Sequence, residues 1–379
     1  MKFNTLVLMG LAAVLAVVAA VWVSSSRAPE ESALSPGPLV PGLAKQIDAI
    51  TQVQVRTAGQ DATTMTLTRE NGVWGLVEKS HYPVDMDRLR NVLTAIANAQ
   101  RVEAKTALSA RYAQLGVDDL DHVDARGVQV DVHLPERTVS LIFGDNVVRG
   151  AGTYVRESGQ AQSWLIDSSI AVERKPANWL DKQIIDVGAN RVLHVDVKPL
   201  IGAAFELVRS TDDPASDFAL SPIPRGRELA ENYQREALAG VLSGLTFEDV
   251  FAVADRPVPE KTQHTTFALE DGRQLGIDSW QEGAQTMVHL SMVLDAAVAD
   301  AWLARPVAEA EASSDSSAGV EPNASNASTA SGEAKLDRAD LQAQVEAFQK
   351  AHADWVYVLP AFKASNLNKA LEDYLKPKG

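Results

Sequence analysis

Apolar and polar residues alternate along much of this chain, and the same order of elements occurs twice. The first stretch opens at Ile50–Arg56 (ITQVQVR), where Val53 and Val55 alternate with Gln52, Gln54 and Arg56. A period of two sends successive side chains to opposite faces, so this run predicts a half-buried strand. Thr64–Arg69 predicts a second strand, and a turn at Asn71-Gly72 leads to Trp74. Between Asp85 and Ala99 the period lengthens. Met86, Leu89, Val92, Leu93 and Ile96 recur at three- and four-residue spacing, one face of an amphipathic helix. A strand is expected at Arg101–Thr106, then at Val128–Leu134, Thr138–Phe143, Thr153–Glu157 and Ser163–Ile166, separated by Pro, Gly and Asp/Asn turns. Ile170–Ile185 reads as helix.

The second stretch repeats that order. Val192–Val197 and Ala204–Arg209 match the first two strands, and Glu231–Leu242 matches the helix. Phe247–Ala252, Thr265–Leu269, Gln274–Ser279 and Thr286–Met292 match the later strands. Trp355–Leu359 (WVYVL) corresponds to Trp164–Ile166 (WLI) and precedes a helix at Ala361–Leu375. Helices are also expected at Ala296–Leu303 and Asp337–Ala351. Strands joined by short turns cannot be parallel crossovers. The expected fold class is therefore α+β: two related units of mainly antiparallel sheet with packed helices, spanning 47–188 and 189–379.

Two stretches break the pattern. Thr5 to Val23 (TLVLMGLAAVLAVVAAVWV) is uncharged and apolar, and as a helix it spans roughly 28 Å, the thickness of a bilayer core. A signal peptide is the competing reading. The run exceeds a typical h-region, and Pro29 follows the nearest small-x-small site, Ser26-Arg27-Ala28, which favours an uncleaved transmembrane anchor over residues 1–23. Trp22 suits the membrane interface. Lys2 and the free amine precede the run and Arg27 follows it, with Glu30 and Glu31 just beyond, and this small bias of positive charge points to an N-inside, single-pass topology with the bulk outside the cytoplasm, in a bacterium the periplasm. Residues 24–46 read as a juxtamembrane tether, solvated over Ser24–Pro41. The Ser-, Ala- and acid-rich stretch at about 306–335 has almost no large apolar residue and reads as a disordered insertion.

The formal net charge of −15 argues against a nucleic-acid partner. With no cysteine, thiol catalysis, cysteine metal sites and an N-terminal lipidated cysteine are excluded. The histidines, His81, His122, His133, His194, His264, His289 and His352, show no i,i+4 zinc spacing. Those in strands read as surface or satisfied positions. Asp118, Asp119, Asp121 and Asp124 lack the Gly and distal Glu of a calcium loop and read as a helix start or solvated turn. Asp85 and Asp87 suit a helix N-terminus. Neither G-x-S-x-G nor a P-loop occurs. A paired-carboxylate hydrolase stays open, because its acids can lie anywhere in sequence. Trp74, Trp164, Trp179, Trp280, Trp302 and Trp355 read first as packing residues and second as sugar-stacking platforms. No catalytic, cofactor-binding or metal-ligating residue is assigned.

The Asn71-Gly-Val-Trp74 turn, the helix start at Asp85–Leu93 (DMDRLRNVL), Gly116-Val117 after Tyr112 and the Trp164-Leu-Ile166 strand give the chain a resemblance to a bacterial family, the domain of unknown function numbered 4340. The resemblance covers most of Ile47 to Leu375. It implies a short N-terminal anchor, paired β-β-helix-β units, and an extracytoplasmic accessory encoded beside the permease and ATPase genes of gliding-motility-type ABC transporters. It brings no established catalytic residues. The expectation is a non-enzymatic, membrane-tethered periplasmic protein that contacts an ABC-transporter permease or another envelope protein. A module for envelope glycan or lipid is the alternative, and an unrecognised hydrolase the third reading.

Overall fold

The structure, a computed structural model, describes residues 36–59, 62–209, 216–305 and 336–377. Both Thr5–Val23 and the stretch 306–335 lie outside the described residues. Among the described residues no helix is long and apolar enough to cross a membrane. In chain order the first elements are β1 (Gly37–Pro38), β2 (Gln52–Thr57), β3 (Thr64–Glu70), β4 (Val73–Leu76), β5 (Tyr82–Pro83), α1 (Met86–Asn98), β6 (Gln100–Ala104), α2 (Tyr112–Leu115), β7 (Val128–His133), β8 (Thr138–Asn146), β9 (Thr153–Glu157) and β10 (Ser163–Ile166). Then come β11 (Gln183–Ile185), β12 (Val192–Lys198), β13 (Phe205–Val208), β14 (Ala219–Ser221), α3 (Tyr233–Ala239), β15 (Leu245–Thr246), β16 (Asp249–Ala252), β17 (Gln263–Leu269), β18 (Arg273–Glu282), β19 (Gln285–Leu294), α4 (Ala296–Leu303), α5 (Arg338–His352), β20 (Trp355–Val358) and α6 (Ala361–Leu367). The architecture is α+β, mainly antiparallel sheet with a few helices.

The chain divides into two compact units, one holding the residues through Thr66 with Asp87–Arg174, the other Leu67–Met86 with Lys175 onward. In the first unit the strands run β1-β6-β10-β9-β8-β7-β2-β3, and the pairs from β1 through β2 are antiparallel. Val53 and Val55 face Val132 and Val130, and these face Val139 and Leu141. All six are buried and form one apolar layer, and α1 buries Leu89, Val92, Leu93, Ile96 and Ala97. The other face is polar but partly covered. Asp131 is buried there, accepting from Arg56 Nη2 at 2.8 Å and from Gln129 Nε2 at 2.7 Å. Tyr112, Val117 and Ile142 make a small cluster on this face, with Leu115 and Tyr154 against it.

Arg156 sits beside that cluster, 2% exposed. It donates to Val117 O (2.9 Å), Gln160 O (3.1 Å) and Asp119 Oδ1, and its guanidinium lies 4.4 Å from the Tyr112 ring centroid. A buried guanidinium needs such a complete set of acceptors, because desolvation of an unpaired charge costs several kcal/mol. The Asp118–Asp124 run therefore holds more than a solvated turn, for Asp119 neutralises a core arginine.

In the second unit β3 pairs with β4 and β4 with β5. Asn71 (φ 51°) and Gly72 (φ 86°) make the two-residue turn between β3 and β4, which requires left-handed backbone at both positions. The larger sheet of this unit runs β14-β13-β12-β17-β18-β19-β20-β16. Read from the other end, it follows the same path as β6-β10-β9-β8-β7-β2-β3-β4 in the first sheet. In each, a hairpin's first strand pairs back to a four-strand meander, and the strand after the first helix closes the far edge. Asp271-Gly272 turns β17 into β18. Gly272 (φ 83°) has no room for a Cβ, which would lie 2.7 Å from both Ala299 N and Asp295 O. Helix α5 packs on β19 and starts at a capping box made by Asp337 and Asp340.

The structure corrects three expectations. Ile170–Ile185 is not a helix. Pro176 follows an extended Lys175, only one 3-10 turn forms at Pro176–Trp179, and β11 pairs with β15 instead. The helix expected to Leu375 stops at Leu367. Ala370 is extended, and a 3-10 turn at Leu371–Tyr374 follows. The stretch read as tether is folded from Gly37, where β1 pairs with β6 and Leu39, Val40 and Leu43 are buried. Its few apolar side chains suffice to anchor it.

Replacing Arg156 by Ala should destabilise the protein by about 3 kcal/mol, and Asp119→Asn by about 1 kcal/mol, because Asp119 is half exposed and the arginine keeps its carbonyls. Urea denaturation of both variants measures this, and a neutral Arg156→Ala would refute the assigned role.

Candidate functional site

The outer face of the second sheet brings together most of the strand histidines. Register pairs Lys198 with His264, His264 with Asp278, and Asp278 with His289, so these four form one row across β12, β17, β18 and β19. Two residues along, Asp196, Thr266, Gly276 and Ser291 form the neighbouring row on the same face. Gly276 lets the Ser291 side chain pack close over the strand, since a Cβ there would lie 2.6 Å from Ser291 Oγ.

Hydrogen bonds chain these groups. Thr262 Oγ1 donates to Asp278 Oδ1 at 3.2 Å, and His264 Nδ1 lies 2.8 Å from the same oxygen. On its other side His264 Nε2 meets Thr266 Oγ1 at 3.2 Å. His194 Nε2 meets Glu206 Oε2 at 3.0 Å, and His289 Nε2 donates to Ala353 O at 2.8 Å. The side chains of His264 and Asp278 are partly open to solvent.

Hydroxyl, imidazole and carboxylate thus stand in the order of a nucleophile, a base and an orienting acid. Acyl transfer further needs N–H donors aimed at a developing oxyanion. Strand β17 lies between two paired strands, so its ladder N–H groups point within the sheet toward β12 and β18. The row can pass a proton and hydrogen-bond a polar ligand; it does not supply that oxyanion pocket. Among the described residues no group of three His, Asp or Glu side chains is placed to hold a metal ion.

Trp280 continues the face two residues beyond Asp278, opposite Met287. It is half-buried, packed against Met287, Val356 and Val358 together with Phe251, Val253 and Val258. Lys79 Nζ and Arg256 lie 4.4 and 4.1 Å from the Phe251 ring centroid. Of the other tryptophans expected as platforms, Trp74, Trp164 and Trp179 are buried, while Trp302 and Trp355 are half-buried. The ring of Tyr82 meets Trp355 edge-on at 4.9 Å.

A second polar group is buried in this unit. His352 Nδ1 lies 2.7 Å from the Tyr357 hydroxyl, which is hydrogen-bonded to Tyr82. Burial pushes Tyr82 up to about 12 and raises Tyr357 further, and it lowers His352 to about 4. All three groups are neutral near pH 7. With Phe247 at 5.3 Å from both tyrosine rings, they form a hydrogen-bonded strut within an aromatic core.

Elsewhere, His133 meets Thr138 Oγ1 at 3.1 Å, a satisfied strand position of the kind expected, and His81 meets Glu70 at 3.4 Å. His122 is exposed. Thr266 and Asp278 were not singled out by the sequence. The i,i+2 spacing of His264 and Thr266 places both on one strand face, a legible signal, but the opposition of Asp278 depends on cross-strand register.

A family model described as Domain of unknown function (DUF4340) matches residues 74–265. No curated protein and no solved structure matches the chain.

His352 binds its proton more weakly folded (about 4) than unfolded (6.5), so the unfolded chain holds more protons between these values. Stability should therefore rise with pH across that window, by at most about 3 kcal/mol from this group. The difference in unfolding free energy between wild type and His352→Gln, followed from pH 4 to 7, measures it. A constant difference would refute the assignment.

Proposed function

The chain belongs to the family described as domain of unknown function DUF4340, and from that premise we propose that it is a membrane-tethered, extracytoplasmic accessory protein of an ABC transporter, acting by protein contact without a reaction of its own. Family membership carries this reading, through the association of such proteins with gliding-motility-type permease and ATPase genes. The apolar run Thr5–Val23 supports it by supplying a bilayer-length anchor in the bacterial inner membrane, with the bulk of the chain in the periplasm. Two sheets of one strand order give such a protein broad, stable surfaces. A tether raises the effective concentration of one membrane protein beside another, so weak contacts suffice.

A second reading rests on Trp280. An aromatic ring beside hydrogen-bonding His264, Asp278 and His289 suits a neutral envelope glycan, which stacks its C–H face and is held through its hydroxyls. The burial of Trp74 and Trp164 removes them from any such site.

Affinity capture of the full chain from mildly solubilised membranes should recover a permease. Replacing Thr5–Val23 by a cleavable signal should cut that recovery at least tenfold. Capture that returns no envelope protein across several mild detergents sinks the accessory reading. For the glycan reading, Trp280→Ala should weaken binding of soluble cell-wall fragments at least tenfold in calorimetry. The absence of binding by the wild type would end it.

A further inference from the structure

The loop joining β12 to β13, Pro199–Ala204, reads PLIGAA and contains no polar side chain. Connections of this kind normally carry Asn, Asp, Ser or Gly, and a run of exposed apolar residues is a fault unless it has a use. At the same place in the first sheet, the loop joining β2 to β3 reads AGQDAT and carries Gln60 and Asp61. The difference is therefore particular to this hairpin. Leu200 is 54% exposed, Ile201 85%, and Gly202, Ala203 and Ala204 are exposed after them. The last pair of β12 and β13 is Val197 with Phe205, and Glu206 pairs with Ser221, so Ile223 leaves β14 at the same end of the sheet. It too is exposed, at 44%.

We propose that this hairpin tip, Leu200 and Ile201 with Ile223 beside them, is a lipid-contact site that inserts into the headgroup region of an anionic bilayer. The tip exposes apolar side chains at the end of a paired hairpin, which suits a fluid surface. Lys198 at its base and Arg225 beyond Ile223 are exposed cations, the complement of anionic headgroups. Lys198 keeps Asp196 at 3.5 Å, one strand step further from the tip. Apolar side chains that enter the interface with flanking cations bind by the two terms together. The inference rests on the tether reading, because a chain already held by Thr5–Val23 needs only this weak second contact to orient its second unit.

The chain has no cysteine, so Ile201→Cys creates a single thiol for an environment-sensitive fluorophore. Val148→Cys, in the loop after β8, is the reference, because Val148 is 99% exposed and its apolar neighbour Val147 is half-buried. Each labelled full-length chain is reconstituted into vesicles of phosphatidylcholine and phosphatidylglycerol. At 201 we expect several-fold brighter emission than at 148, quenched by nitroxide lipid, with Lys198→Glu reducing the quenching several-fold. Equal, unquenched emission at both positions in a chain that resists carbonate extraction overturns the lipid-contact site alone. Lipid quenching at 201 in a chain that carbonate strips from the vesicles supports the tip and overturns the tether.

Discussion

Each sheet depends on pairings between strands far apart in the chain, β2 with β7 and β6 with β10 in the first, β12 with β17 and β16 with β20 in the second. Loop closure over such distances costs entropy that only the completed apolar layer repays. In the first sheet that layer is the valine row of Val53, Val55, Val130 and Val132. In the second, Val195 and Val197 meet Phe267 and Thr265 in the same relation. The repeated strand order follows from this shared demand, since a hairpin, an excursion and a meander offer few other antiparallel ways to bury both halves.

With one face of each sheet committed to the core, the opposite faces are free to differ, and they do. The first is partly closed by α2 and its following loop, at the cost of burying Arg156, which Asp119 and two carbonyls satisfy. The second is left open over β17 and β18, where His264 bonds to both Asp278 and Thr266. Its polar groups are held in register by the ladder, which also consumes the backbone N–H groups of β17. The hairpin loops sit outside both demands, so PLIGAA and AGQDAT can occupy one topological position with opposite character.

The sequence by itself determined the longer strands, the first helix and their order, because period-two and period-3.6 alternation are local properties that burial on one face enforces. Val53 and Val55, Leu89 to Ile96 and the Asn71-Gly72 turn all behave as that pattern requires. It also determined the absence of thiol chemistry and the membership carried by residues 74–265. Only the tertiary structure decided what depends on register and distant partners: that Asp119 belongs to Arg156, that Asp278 faces His264, that Ile170–Ile185 gives its backbone to β-pairing instead of a helix, and that Leu39 to Leu43 are core. A propensity measures a residue against its neighbours in sequence, whereas these outcomes were set by which groups long-range strand pairing and packing brought together.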